Sequence, residues 1–524
     1  MNSKRKRGDR DGIFAGNTPE RAIIDIGSNT VRLVIYGGSM RAPTVLLNEK
    51  VTARLGRDIA RSGTLADEAI DAAMRGLARF ALLIDDLEIA DVETVATAAV
   101  REASNGADFI ARLRTLGYDP RIVSGEEEAR LSASGVLGAF PNAGGPGAGG
   151  SVADLGGGSL ELVALVDGET AGAVSLPLGA LRLPEYRGDS GKNTSTDMQT
   201  QLEKVIAKAG WGLASQSGHV PTPLYLVGGT WRAMAVFAMQ ARGHPLSDPH
   251  GFELDPNSAR SLTELLIEEP QDNLKNRKRI SAMRAEKLPD AAILLQALLA
   301  QLQPSAVVFS SWGLREGLLY DRLPPHGKAR DPLLAGISVF ATQRGAPPTL
   351  ATRIAAWTVD AAPSRKHGSE RLRLAATMLA LASMQIEPNI RLPQAIDWAM
   401  HKRWIAVSGA ERAMLAAAIA ANGNALDLPS DVQALACEEA LEEAICWGLA
   451  IRLARRLGAR SRRSLQVSRL LVEDDALVLR LATSHAALFG YSTEKDMKLL
   501  AARLGREWKV EIVPDEQLRT DKDA

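Results

Sequence analysis

A chain of 524 residues is too long for one hydrophobic core and is expected to divide into several domains. Its 62 basic and 62 acidic residues cancel, so no global field draws it to nucleic acid, and 4% aromatic residues is sparse for stacking single strands. No apolar run is long enough to span a bilayer, so the expected protein is soluble and cytoplasmic, with neither nucleic acid nor membrane as a partner.

The N-terminus, MNSKRKRGDRDG, is basic but is followed by no apolar segment of the secretory kind, and residues 1–20 read as a disordered basic tail. Ala22–Tyr36 then reads as a hairpin around the turn GSNT, and Asn48–Leu55 as a further strand and loop. Asp67–Leu83 has apolar spacing of three and four and is predicted helical. Val92–Val100 reads as a strand, Gly106–Gly117 as a helix closed by glycine, and Pro120–Val123 as a short strand. In SGEEEARLS, Ser124 is placed to cap a helix whose first turn holds Glu126, Glu127 and Glu128. Pro141–Gly150, PNAGGPGAGG, is a low-complexity connector.

The stretch VADLGGGSLELVAL, Val152–Leu165, repeats the first hairpin. Aligned, Asp154 falls on Asp25, Gly156 on Gly27, Gly157 and Gly158 on Ser28 and Asn29, and Ser159 on Thr30. A glycine turn with exposed backbone N–H groups suits a phosphate, and glycine tolerates positive φ. Asp154 and Glu161 flank the turn, and carboxylates beside a phosphate call for a cation between them, Mg2+ being the usual one. Two copies of one unit predict two related domains facing each other across a cleft, with the ligand between the two loops.

Further along, Ala173–Leu183 reads as strand and turn, Met198–Lys208 as a helix, Pro223–Val236 and Ala306–Tyr320 as strand–turn–helix units, and Ala291–Gln301 as a helix. From Leu350 to about Leu457 alanine- and leucine-rich helical spacing dominates. Ser464–Leu471, Ala476–Ala482 and Trp508–Val513 read as strands around a helix at Glu494–Leu504. Cys437 and Cys446 form no CxxC pair and read as buried thiols in the helical stretch.

IIDIGSNTVRLVIY, TAAVREASN, SGEEEARLS, VADLGGGSLEL, LPLGALRL, LYLVGGTWRAMA and SSWGLREGLLY occur in one order over residues 22–320. This order resembles the exopolyphosphatase and guanosine pentaphosphate phosphohydrolase (Ppx/GppA) family, within the actin, sugar-kinase and Hsp70 fold group. The resemblance implies an α/β protein with two ribonuclease-H-like domains, here 21–140 and 141–325. It also implies an all-helical HD-like domain at 326–457 and a small α+β domain at 458–524. The helical stretch AATMLALASM carries no His-Asp pair, which leaves His367 and His401 without a metal partner of the HD kind.

The resemblance further implies removal of terminal phosphate from inorganic polyphosphate, with Glu128 as general base, Mg2+ as cofactor, and Asp25, Asp154 and Glu161 as its ligands. By the same route Ser28, Asn29, Thr30, Arg101, Asn105, Gly156, Gly157, Gly158, Ser159, Gly228 and Gly229 would bind phosphate. Glu126 and Glu127 keep the ordinary reading of a solvated helix face. Leu160 stands where the family commonly has threonine, so no hydroxyl role is expected there. Arg182, Arg232, Arg284 and Arg315 are candidates for the path of a polyanion. A pppGpp phosphohydrolase, a kinase of the same fold group and a non-catalytic polyphosphate or alarmone sensor are the competing readings. Homodimerisation through the helical half is implied by resemblance.

Overall fold

The two hairpins each open a sheet. The computed structural model describes residues 18–144, 149–187, 195–211, 221–459 and 461–518. Most of the basic tail and the middle of the 141–150 connector thus lie outside the described residues. In the first sheet, β1 (Arg21–Ile26), β2 (Val31–Ser39) and β3 (Ala42–Val51) form an antiparallel meander. β4 (Asp91–Ala96) and β5 (Pro120–Ile122) add in parallel on the other edge of β1, giving the order β3-β2-β1-β4-β5.

The second sheet repeats the plan. β6 (Gly149–Leu155), β7 (Leu160–Val166) and β8 (Glu169–Leu176) are the meander, and β9 (Leu224–Val227), β10 (Glu253–Leu254) and β11 (Val307–Ser310) complete the order β10-β11-β9-β6-β7-β8. Helices bridge the parallel strands. The helix Asp67–Asp86 turns Ile70, Ala73, Leu77 and Phe80 inward, onto a core shared with Leu33 and Ile35 of β2.

Two helices cross between the sheets. The helix Gly125–Ala139 follows β5 of the first sheet but packs Ala129, Ala133 and Val136 against Val152, Val163 and Leu165 of the second. The helix Leu314–Asp321 follows β11 of the second sheet but packs Leu318 and Leu319 against Ile23, Val34 and Tyr36 of the first. Where they cross there is no room for side chains. A Cβ on Gly317 would lie 1.8 Å from the Leu131 carbonyl oxygen, and one on Gly135 would lie 2.4 Å from that of Gly313.

The chain divides into two compact units, the second comprising Pro245–Ser247 and Leu333–Ala524. It contains the helices Glu370–Ser383, Gly409–Asn422, Glu438–Gly458 and Tyr491–Leu504. Its small sheet has the order β12 (Ser468–Glu473), β13 (Ala476–Ala482), β14 (Glu507–Val513). One core joins Leu379, Ala417 and Trp447 of the helices to Leu477 and Leu479 of the sheet. None of the described helices is long and apolar enough to cross a membrane.

Several boundaries differ from expectation. The strand read over Val92–Val100 ends at Ala96, because its partner β1 ends opposite, at Ile26, and Ala98–Glu102 turns into a short helix. β3 starts at Ala42 rather than near Asn48 because β2 runs on to Ser39 and offers it a ladder. Ser464 and Leu465 are helical, in Arg462–Gln466, since Ser461 caps that turn by accepting from the Ser464 N–H. Cys437 is exposed and Cys446 only partly covered: the first sits at the cap of Glu438–Gly458, outside its apolar face.

Gly317→Ala forces a methyl group into the Leu131 carbonyl. It is expected to destabilise the first unit by about 3 kcal/mol or more, seen as an earlier first transition in calorimetry.

Candidate active site

The two turns are built alike. Asp25 pairs across its hairpin with Arg32, and Asp154 pairs with Glu161 in the matching register. The Gly27 N–H donates to the Thr30 carbonyl at 3.1 Å, and the Gly156 N–H to the Ser159 carbonyl at 3.0 Å. None of Gly156, Gly157 and Gly158 adopts positive φ. Glycine is needed for a different reason: the turns touch. A Cβ on Gly158 would lie 2.9 Å from Ser28 Oγ, and one on Gly157 would lie 3.1 Å from Ser28 Cβ.

Neighbouring segments clamp both turns. Gly56 and Arg54 donate their N–H groups to the carbonyls of Ser28 (2.7 Å) and Asn29 (3.0 Å). In the LPLGALRL segment, Ala180 and Leu181 donate to the carbonyls of Gly156 (3.0 Å) and Gly157 (2.9 Å). Gly179 lies so close that a Cβ there would be 2.2 Å from the Ser159 nitrogen. These bonds engage the negative ends of the turn peptides, so that they do not oppose an anion. Asn29 Nδ2 donates to Met283 Sδ at 3.2 Å.

The helix Gly125–Ala139 supplies the third wall. Ser124 Oγ accepts from the Glu127 N–H at 3.1 Å and fixes where the helix starts. Glu126 is exposed and pairs with Arg130, and Glu127 pairs with Arg121 beside solvent. Glu128 turns inward, is 9% exposed, and accepts from Arg101 Nη1 at 3.0 Å. The same Arg101 nitrogen donates to the Val123 carbonyl at 2.9 Å. One turn beyond Glu128, Ser132 Oγ donates to Asp154 Oδ2.

Burial dominates the electrostatics. It pushes the Glu128 carboxyl up to about 7, opposed by Arg101 and reinforced by Asp154 and Asp25. Burial also raises Asp154, against its bond from Ser132, and raises Asp25, against the pull of Arg315 and Arg32. Glu161 stands well above the carboxylate range because it is buried and repelled by Glu128 and Asp154. It accepts from Ser175 Oγ at 2.9 Å.

One cavity of about 330 Å³ gathers Asp25, Ser28, Asn29, Thr30, Glu128, Asp154, Gly156, Gly157, Gly158, Ser159, Gly228 and Gly229. Gly228 has φ +121, and a Cβ there would lie 2.5 Å from the Leu155 carbonyl and 3.2 Å from Asp154 Oδ1. Three of the sequence-derived residues do not line the cavity. Arg101 stands behind Glu128. Glu161 lies in the sheet between Asp154 and Ser175. Asn105 is turned away: its amide accepts from the Leu65 N–H (2.8 Å) and donates to the Leu65 carbonyl (3.0 Å), pinning a loop instead of facing an anion. Among the described residues no three His, Cys, Asp or Glu side chains gather closely enough to cage a metal directly.

Of the basic candidates, Arg232, Arg284 and Arg315 line the cavity, whereas Arg182 pairs with Glu102. Arg32, Lys50 and Lys287 also line it. Arg32 was legible as the cross-strand partner of Asp25, and Ser132 as the residue four after Glu128 on one helix face. Lys287 lies outside every motif read from the sequence.

The buried acid carries a cost that depends on pH. With its pKa raised from 4.5 to about 7, Glu128 keeps a proton in the folded protein that the unfolded chain releases. The cost is absent below about pH 4.5, grows as pH rises, and levels off above 7 at up to about 3 kcal/mol. Glu128→Gln, a mimic of the protonated form, is therefore expected to raise the melting temperature at pH 8 and leave it near wild type at pH 5.

The Ppx/GppA phosphatase family model matches residues 34–326, more than half of the 524-residue chain. The sequence is 29% identical over 308 residues to Exopolyphosphatase 1 of Mycobacterium tuberculosis, covering 57% of this chain and 87% of that protein. It is 27% identical over 348 residues to Retrograde regulation protein 2 of Saccharomyces cerevisiae, covering 61% and 58%. Among solved structures, an exopolyphosphatase from Cytophaga hutchinsonii matches with a TM-score of 0.51 at 24% identity, over 57% of this chain and 96% of that one, which is a likeness of fold.

Proposed function

The chain belongs to the Ppx/GppA phosphatase family, and we propose from that premise that it is an exopolyphosphatase, releasing terminal orthophosphate from inorganic polyphosphate. The observation that carries the reading is Glu128: a buried carboxylate with a pKa near neutrality, held by Arg101, in a cavity walled by two anion-suited turns and several cations. A base with such a pKa is matched to deprotonating water at physiological pH.

In this reading the terminal phosphate rests between Ser28–Thr30 and Gly156–Ser159. Glu128 orients a water and takes its proton as the oxygen attacks phosphorus, and the shortened polyphosphate leaves. Arg101 keeps the carboxylate of Glu128 in one orientation. Arg232 and Arg315 face the phosphate oxygens. Phosphoryl transfer needs little covalent participation, so positioning and charge neutralisation carry the rate. For the implied Mg2+, the fit rests on the donor set: Asp25 and Asp154, on the strands that lead into the two turns, would offer it hard oxygen ligands, with water filling the remaining positions. When bound, it neutralises phosphate charge. Glu161, opposite Asp154 on the neighbouring strand and outside the cavity lining, adds a further buried carboxylate beside the site and is held by Ser175.

A second leaving group, ppGpp from pppGpp, suits the same chemistry; the 29% identity to Exopolyphosphatase 1 favours polyphosphate. The deciding experiment follows phosphate release from long-chain polyphosphate and from pppGpp with Mg2+. Release from polyphosphate is expected, and kcat should fall by about 10² to 10⁴-fold in Glu128→Gln. Release from pppGpp alone would transfer the mechanism to alarmone turnover, and a wild type that releases nothing from either would refute the reading. Since Glu128 acts deprotonated, activity should rise with pH through a limb at or below about 7, a bound cation lowering it. The residual activity of Glu128→Gln should lack that limb.

A further inference from the structure

Tyr36 and Glu316 form a buried link that the proposed chemistry does not use. Tyr36 Oη donates to Glu316 Oε1 at 2.8 Å, and the Gly313 N–H donates to Glu316 Oε2 at 3.2 Å. Tyr36 is 1% exposed and Glu316 8%. Both carboxylate oxygens are thus fixed, one by a strand of the first sheet and one by the start of the helix that follows the second. A buried carboxylate held at both oxygens has one orientation, and leaving either unpaired is costly.

The consequence concerns the adjacent residue. Arg315 shares the first helical turn with Glu316, lines the cavity, and lies with Nε 3.8 Å from Asp25 Oδ2. On β2, Arg32, Val34 and Tyr36 alternate onto one face, with Asp25 opposite Arg32. The face that carries Asp25 and Arg32 into the cavity thus also carries the hydroxyl that anchors Glu316. We propose that Glu316 and Tyr36 are positioning residues: together they fix the rotation of the helix start about its axis, and thereby set the Arg315 guanidinium against Asp25 and the substrate phosphates. Purely structural glue between the sheets would use the same bonds without coupling to Arg315.

This inference rests on the exopolyphosphatase reading, and the test separates the two. Tyr36→Phe, Arg315→Lys and the double variant are compared in kcat and KM for polyphosphate, and in affinity for inorganic tripolyphosphate by calorimetry. Tyr36→Phe keeps its ring in the core, so folding is checked by its melting temperature. The expected result is a loss of about tenfold in kcat or affinity for Tyr36→Phe, with the double variant no worse than Arg315→Lys alone. Multiplying losses, or wild-type values in Tyr36→Phe, overturn the inference while leaving the exopolyphosphatase reading intact. If Tyr36→Phe does not fold, Glu316→Gln, which keeps an acceptor for only one of the two donors, enters the same cycle with the same criteria. A wild type that binds tripolyphosphate without releasing phosphate refutes the hydrolase reading alone, since the affinity cycle still decides the coupling. A wild type that neither binds nor hydrolyses overturns both.

Discussion

The close crossing of two helices governs the first unit. Gly135 and Gly313 on one side, Gly317 and the Leu131 carbonyl on the other, approach so nearly that no side chain fits between them. Each helix follows one sheet and covers the other, so the crossing ties the two repeats together and sets the directions of the groups that reach the cleft. Ser132 projects from one helix onto Asp154, and Glu128, one turn earlier, into the same cavity. Arg315 projects from the start of the other onto Asp25. A change of one methyl group at the crossing therefore acts on both walls at once, because close-packed interiors pass displacement on instead of absorbing it.

The repeat is symmetric in backbone and asymmetric in charge. Both turns close with the same hydrogen bond and carry an aspartate at the same place, yet the residue opposite is Arg32 in one and Glu161 in the other. The first turn is consequently balanced toward binding an anion. The second concentrates Asp154, Glu161 and Glu128, whose proton affinities all rise through burial, reinforced for Glu128 by Asp154 and Asp25 and for Glu161 by Glu128 and Asp154. A duplicated unit has thus diverged at one cross-strand position into a side that sets a cation opposite its aspartate and a side that sets a second buried carboxylate there. The second side is held folded at a cost in stability, as is common where carboxylates are kept buried for chemistry.

The second unit illustrates a different limit of sequence reading. Its helices were legible from alanine and leucine spacing, and three of its strands from alternation. That helices and sheet share one core, with Trp447 and Leu479 in the same cluster, was not, because an apolar face declares that it will be covered and not by what.

The resemblance in motif order singled out Glu128 from Glu126 and Glu127; the residues alone made legible what is local and repeated, namely the paired hairpins and the cap at Ser124. These follow from short-range geometry, where side-chain period and capping leave few alternatives. The rest waited on packing between distant segments. It turned Asn105 onto the Leu65 backbone, put Arg101 behind Glu128, kept Glu161 out of the cavity lining against Ser175, and brought Lys287 to the cavity. It also gave Gly157 and Gly158 their reason, which is contact with Ser28 across the cleft and not a positive φ. Each of these depends on which distant segment arrives opposite, and that is fixed by how the two crossed helices pack and not by any residue's neighbours in sequence.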